Sequence, residues 1–207
     1  PIVRKEIAAT KKKKAVERSS IDQRIDYRWI DLRTDENQLM FKAQSCFVNA
    51  MRKFLLDRNF IEIHTPKLIA AASESGSEVF KVDYFDRNAY LAQSPQFYKQ
   101  MAMAAGFERI FETGPVFRAE KSYTNKHSTE FSGFDLEFSY ITSYKDVMKM
   151  EEELLTAGLQ AVKDNYGDQI KEMFGQEVIV PTTPFPVVKL ADLYKGLEEE
   201  FGYTVDE

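Results

Sequence analysis

Residues 117–138 read Phe117-Arg118-Ala119-Glu120-Lys121-Ser122-Tyr123-Thr124-Asn125-Lys126-His127-Ser128-Thr129-Glu130-Phe131-Ser132-Gly133-Phe134-Asp135-Leu136-Glu137-Phe138. The alternation predicts two strands, Arg109–Glu120 and Thr129–Tyr140, joined by the loop Lys121–Ser128. Successive strand side chains point to opposite faces. Phe134, Leu136 and Phe138 therefore share an apolar face that must pack on a core. Phe131, Gly133, Asp135 and Glu137 share the other, and Arg118 and Glu120 share one face of the first strand. Cross-strand ion pairs on a solvated face would account for the charges alone. They do not account for Gly133, which leaves room for close approach, or for an exposed Phe131 with nothing stacked on it. Arg118, Lys126 and His127 add a phosphate-binding set, because a guanidinium grips phosphate through two parallel hydrogen bonds. On chemistry alone a nucleotide site and a solvated, ion-paired face both stay open.

Upstream, Thr34 is a helix cap with Asp35 and Glu36 in the first turn, where carboxylates suit the helix dipole. Met40, Ala43, Phe47, Met51 and Phe54 follow helical spacing. The alternating segment Phe60–Thr65 follows and Pro66 ends it, as at an edge or strand terminus. Residues 71–78 are small and polar and read as a loop. Val79–Tyr84 and Ala89–Ala92 predict a hairpin around Asp86–Asn88. Ser94-Pro95 starts a helix with proline at its first position, and Gly106 closes it. On that helix Gln96 and Lys99 are three apart and share a face. Downstream, a helix over Ser143–Asp164 is expected, then a short one over Gln169–Phe174. Strands are expected at Glu177–Val180 and Val187–Leu190, and a last helix runs to Phe201. Helices and hairpins in this order predict an α+β fold with an antiparallel sheet flanked by helices. No Walker or Rossmann glycine loop is present in the sequence.

Composition narrows the classes. The 207 residues suit one domain with a real core, 43% being hydrophobic and 29% charged. No apolar run approaches the ~18 residues of a membrane span, so no membrane association is expected. One cysteine and two histidines exclude a disulfide framework and make a zinc site improbable; a reducing, cytoplasmic setting is expected. The net charge of −5 gives no basic field, so an RNA partner must meet a local patch or another domain. Lys11–Lys14 reads as a solvated charge run. His64 reads as structural or interfacial.

The stretch Phe117-Arg-Ala-Glu through His127-Ser-Thr-Glu-Phe-Ser-Gly-Phe-Asp-Leu-Glu resembles motif 2 of class II aminoacyl-tRNA synthetases in its aspartyl, archaeal and eukaryotic form. Asn59-Phe-Ile-Glu-Ile-His-Thr-Pro-Lys with the helix before it resembles motif 1. Tyr27-Arg-Trp-Ile-Asp-Leu-Arg and Gln93-Ser-Pro-Gln-Phe-Tyr-Lys-Gln match as well, and the resemblance covers about residues 21–205. It implies part of the class II catalytic domain over residues 24–207, with 1–23 a linker or remnant after an anticodon-binding domain.

The resemblance implies an aspartate–tRNA ligase that uses ATP and Mg²⁺. Arg118 would hold the α-phosphate, His127 the γ-phosphate end, Phe131 the adenine ring, and the main chain near Ser128 the adenine edge, with Glu120 in the same wall. Gln96 and Asp135 would hold the aspartate ammonium and Lys99 its side-chain carboxylate. Ser73 and Glu74 would lie on a loop closing over the amino acid. Glu120 and Glu137 could instead only brace Arg118 or Lys99. Arg118 and His127 are the expected catalytic residues, no metal ligand is expected within the chain, and tRNA(Asp), L-aspartate and a second copy joined through motif 1 are the expected partners. Lys126 replaces a common arginine, keeping the charge without the fork. The family's third, Gly-rich motif is not found, so an incomplete site is expected. An asparaginyl-tRNA synthetase, an aspartyl enzyme that also charges tRNA(Asn), an ammonia-using asparagine synthetase and a non-catalytic binding or dimerisation module remain open at this point.

Overall fold

The computed structural model describes residues 19–71, 79–121 and 127–203, and residues 5–7 and 15–17 as backbone only. Ser73, Glu74, Lys126 and Lys11–Lys14 lie outside the described residues. The chain divides into two compact units, Pro1–Val48 with Lys149–Glu207, and Asn49–Met148.

In the first unit, strands β1 (Lys5–Ile7) and β2 (Ala15–Glu17) pair antiparallel. Helix α1 (Ile21–Asp26) is capped by Ser20, whose Oγ accepts the Gln23 N–H at 3.2 Å. The next helix, α2 (Arg28–Asp31), ends on a buried carboxylate, Asp31. The Arg24 guanidinium donates to it at 2.8 Å and Arg28 joins from the other side. The hydrogen bond from Arg24 dominates, and the Asp31 carboxyl is held below the usual carboxylate range despite its burial. Helix α3 (Asp35–Leu56) starts where expected: the Thr34 hydroxyl accepts the Asn37 N–H at 3.4 Å. Its buried stripe runs through Leu39, Met51 and Leu55, and Met40 faces outward instead.

Three downstream expectations change. The helix α5 (Tyr144–Phe174) is continuous, where a break near Asp164 and a separate helix over 169–174 were expected. Asn165 does not stop it, because its side-chain amide donates to the Ala161 carbonyl at 2.7 Å and stays within helical geometry. Residues 177–180 and 187–189 form no strand. Ile179, Val187 and Val188 are exposed and pair with no strand among the described residues. Helix α6 (Leu190–Phe201) closes on Gly202 at φ 63°, a left-handed position that suits glycine.

The second unit holds two three-stranded sheets. One has the order β4 (Leu68–Ile69), β6 (Arg87–Leu91), β5 (Lys81–Tyr84), all antiparallel. The β5–β6 turn is Phe85-Asp86, one residue earlier than expected, with Phe85 at φ 54°. The other sheet has the order β3 (Ile61–Glu62), β7 (Arg109–Phe117), β8 (Glu130–Phe138). Here β3 runs parallel to β7, against the expectation of a purely antiparallel sheet. The long connection between them, which contains the small sheet and helix α4 (Gln96–Ala104), lets the chain return in the same direction. Pro95 takes the cap position of α4 rather than its first turn, and the Gln96 N–H bonds the Ser94 hydroxyl at 3.4 Å.

The expected alternation of β7 and β8 holds. On one face Phe111 stacks on Phe134 at 5.9 Å, and Phe138 meets the edge of Phe60 at 6.0 Å. Phe60 and Phe111 are buried with Leu55 and Ile110 in this unit's core. Fully burying such a side chain contributes about 1.5–3 kcal/mol. The apolar face thereby fixes the register, and a one-residue slip would turn Asp135 and Glu137 into the core.

Candidate active site

The polar face of the β7–β8 pair gathers the candidate site residues. Register sets Glu112 opposite Asp135, Gly114 opposite Gly133, and Val116 opposite Phe131. The ladder extends one step beyond the strand end, where the Arg118 N–H donates to the Thr129 carbonyl at 2.9 Å. Arg118 therefore falls on the same face as Phe131. Its guanidinium lies 5.5 Å from the Phe131 ring centroid, within cation–π range. Both side chains are exposed. Phe131 is an accessible aromatic plane and Arg118 an accessible cation beside it.

At the other end of the face stands Lys99, 5% exposed on α4. Its ammonium is 3.1 Å from Asp135 Oδ1 and 3.5 Å from Glu137 Oε2. Helix α4 packs on the sheet and delivers the lysine tip to these carboxylates. Gln96, half-buried, lies one turn earlier on α4. Asp135 and Phe131 are four strand residues apart, about 13 Å. The face thus has a charged end and an aromatic, cationic end.

Glycine makes the middle of this face passable. A Cβ on Gly133 would lie 2.8 Å from Asp135 Oδ2. A Gly133→Ala substitution is therefore expected to push the Asp135 carboxylate off its position beside Lys99. Amino-acid-dependent pyrophosphate exchange should drop by about 10²-fold. The far-UV circular dichroism spectrum should not change, and unchanged exchange would show that Asp135 needs no such space.

Glu120 and Glu137, expected in one wall, lie far apart along it. Glu137 braces Lys99. Glu120 lies exposed beyond the end of β7, with no ion pair to Arg118 among the described residues. Register alone puts the two about 30 Å apart along the strand. His127 and Ser128 are exposed just before β8, on the Arg118 side. His64 is exposed on the segment after β3.

Two residues that sequence reasoning missed stand in the wall. Glu112 is 3% exposed and accepts the Thr65 N–H at 2.8 Å and the Thr65 hydroxyl at 2.7 Å. Lys67 reaches the same carboxylate at 2.9 Å. Burial alone would raise the Glu112 carboxyl, yet the donors from Thr65 and Lys67 together hold it below the usual range. Parity could have found Glu112, since 112, 114, 116 and 118 share a face. Nothing local pointed to Lys67. Among the described residues no group of three ligating side chains gathers for a metal ion, and no helix is long and apolar enough to cross a membrane.

Comparison with known proteins places the chain in a family. The family model for class II tRNA synthetases (D, K and N) matches residues 20–202. The Aspartate–tRNA(Asp/Asn) ligase of Aeropyrum pernix is 41% identical over 191 residues, covering 92% of this chain and 43% of that protein. The cytoplasmic Aspartate–tRNA ligase of Caenorhabditis elegans is 46% identical over 166 residues, covering 80% of this chain and 31% of that one. Among solved structures, asparaginyl-tRNA synthetase from Pyrococcus horikoshii, complexed with asparaginyl-adenylate, superposes with a TM-score of 0.83 at 34% identity, over 91% of this chain and 43% of that one. The chain thus spans less than half the length of these relatives.

Proposed function

The chain belongs to the class II tRNA synthetases (D, K and N), and from that premise we propose that its protein is an aspartate–tRNA ligase. It activates L-aspartate with ATP and passes the aspartyl group to the 3′ end of tRNA(Asp). The observation that carries this reading is the buried Lys99 ammonium, held between Asp135 and Glu137 at one end of a face whose other end offers Phe131 and Arg118.

In the first step an aspartate α-carboxylate oxygen bonds to the α-phosphorus of ATP. The bond to the β-phosphate breaks, and pyrophosphate leaves. Such a step needs alignment and charge neutralisation more than a protein nucleophile. Arg118 serves the α-phosphate, His127 the γ-phosphate end, Phe131 the adenine plane and Ser128 its edge. Gln96 and Asp135 take the aspartate ammonium, and Lys99 takes its side-chain carboxylate. Ser73, Glu74 and Glu120 complete the assignment as loop and wall residues. In the second step a ribose hydroxyl of the tRNA end attacks the activated carbonyl, and AMP leaves.

Magnesium is expected with the ATP phosphates. The wall carboxylates do not fit as its ligands, because Glu112, Asp135 and Glu137 are each engaged by a lysine. The C. elegans relative is named cytoplasmic, which supports the same compartment here.

The test is ATP–pyrophosphate exchange by the full-length protein that carries this chain, with aspartate and asparagine side by side. Exchange with aspartate is the expected result; exchange with asparagine alone would move the reading to the sister enzyme. A second reading, an aspartyl enzyme that also charges tRNA(Asn), is favoured by the Asp/Asn name of the A. pernix relative. Aspartylation of tRNA(Asn) transcript separates the two.

We further propose that the protein is a homodimer joined through α3 and β3. Helix α3 leaves Met40, Phe41 and Leu56 exposed, and the edge strand β3 exposes Ile61. An apolar edge of this kind is an association surface. Sedimentation at micromolar concentration should give a dimer, and a clean monomer would sink the idea.

A further inference from the structure

We propose that Lys67 and Glu112 are a positioning pair for the amino-acid end of the site: Lys67 engages Glu112, so that Lys99 serves Asp135 and Glu137 alone. The inference rests on the aspartate-activation reading above and adds two residues to it.

Glu112 and Asp135 are direct cross-strand neighbours on the polar face. Like charges in that arrangement are destabilising, and a buried carboxylate without partners is more so. The face resolves this with two ammonium groups. Lys67 takes Glu112 at 2.9 Å, while Lys99 takes Asp135 at 3.1 Å and Glu137 at 3.5 Å. The glycine pair makes this division possible. A Cβ on Gly114 would lie 3.4 Å from Lys67 Cε and 3.6 Å from its Nζ, so the lysine stem lies close over that backbone. Across the ladder, Asp135 lies over Gly133 in the same manner.

The segment that carries Lys67 depends on Glu112. The Ile63 N–H donates to the Phe111 carbonyl at 2.8 Å, which is the last backbone bond to β7. Pro66 has no N–H to offer. From there the Glu112 side chain replaces the ladder, bonding the Thr65 N–H, the Thr65 hydroxyl and Lys67. The Lys67 carbonyl then accepts the Ala92 N–H at 3.0 Å, two residues before Ser94 and the start of α4. Glu112 and Lys67 thus tie the sheet to the approach of the helix that carries Lys99.

Three carboxylates facing two ammonium groups leave one carboxylate in excess. Without Lys67 the excess is two, with a single ammonium to share. Glu112 lies about 5 Å across the strand pair from Asp135, so it competes for Lys99. An anionic substrate then meets a wall with too much negative charge. The nucleotide end, about 13 Å away, feels this little.

The experiment is ATP–pyrophosphate exchange by the full-length protein, with KM for aspartate and for ATP measured separately. Lys67→Met is expected to raise the aspartate KM about tenfold and to leave the ATP KM within about twofold. The double variant Lys67→Met/Glu112→Gln, which removes both charges, is expected to recover most of that loss. Glu112→Gln alone removes the competing charge but weakens the tie to Lys67, and is expected to raise the aspartate KM about threefold while the ATP KM stays unmoved. It carries the test if Lys67→Met does not fold, and a tenfold rise in Glu112→Gln overturns the proposal. So does a parallel rise in both KM values for Lys67→Met, no rise in either, or a double variant no better than the single one. Absence of exchange in the unaltered protein overturns the activation reading together with this one, whereas normal exchange with an unmoved KM ratio overturns the pair alone.

Discussion

Replacing Arg118 by alanine lowers aspartate-dependent ATP–pyrophosphate exchange by about 10³-fold and leaves the melting temperature within about 2 °C. The separation of the two effects follows from where the residue sits. Its backbone continues the β7–β8 ladder through the bond to Thr129, and alanine preserves that bond. Its side chain is exposed, and its contact in the structure is with the Phe131 ring. Little of the fold depends on such a contact, worth about 0.5–1 kcal/mol at an exposed site. Charge developing on the α-phosphate of ATP depends on it far more, because a preorganised cation aimed at that charge acts on the transition state. Arg118→Lys should recover only part of the loss, since an ammonium keeps the charge without the two-pronged grip. Exchange that falls less than tenfold in the alanine variant would remove Arg118 from the phosphate role.

Lys99→Met should abolish measurable exchange with aspartate, a loss of about 10³-fold or more in kcat/KM, and should also cost stability. Here the two effects do not separate, and the reason is burial. The lysine side chain is 6% exposed, while Asp135 and Glu137 retain 30% and 28% of their exposure. Removing one partner of a fully buried pair costs about 3–5 kcal/mol. With the carboxylates partly in water, about 1–3 kcal/mol is the expected loss here. A second substitution distinguishes the roles. Lys99→Met/Asp135→Asn should regain much of the stability, because an amide needs no counter-charge, and should regain no activity with aspartate. Urea unfolding and exchange on the unaltered protein and these two variants measure both. Recovery of exchange in the double variant would show that Lys99 acts only by neutralising Asp135.

The two ends of the site were legible to different degrees. Phe131, Gly133, Asp135 and Glu137 were placed on one face from the alternation alone, and the apolar partners on the other face enforce it. Gln96 and Lys99 were placed on one helical face by their spacing. That Lys99 is buried, and that it pairs with Asp135 thirty-six residues later, followed from no pattern in the sequence. Strand parity gave Glu120 and Glu137 one wall, and it says which face a residue takes and not how far along the ladder it lies. The break assigned near Asp164 failed for a related reason. Asn165 and Gly167 are poor helix residues, yet a continuous α5 costs them only about 1 kcal/mol each.

The sequence by itself determined what is local: the cap at Thr34, the faces of β7 and β8, the helix that carries Lys99, and the family through motifs of high specificity. These depend on neighbours within a few residues, where backbone sterics and side-chain period decide the outcome. The tertiary structure alone decided that β3 runs parallel to β7, that Glu112 substitutes for the ladder beyond Ile63, and that Lys67 and Lys99 divide three carboxylates between them. Those choices join residues about thirty to fifty positions apart. A charge finds its partner only when packing has removed the water that would otherwise satisfy it.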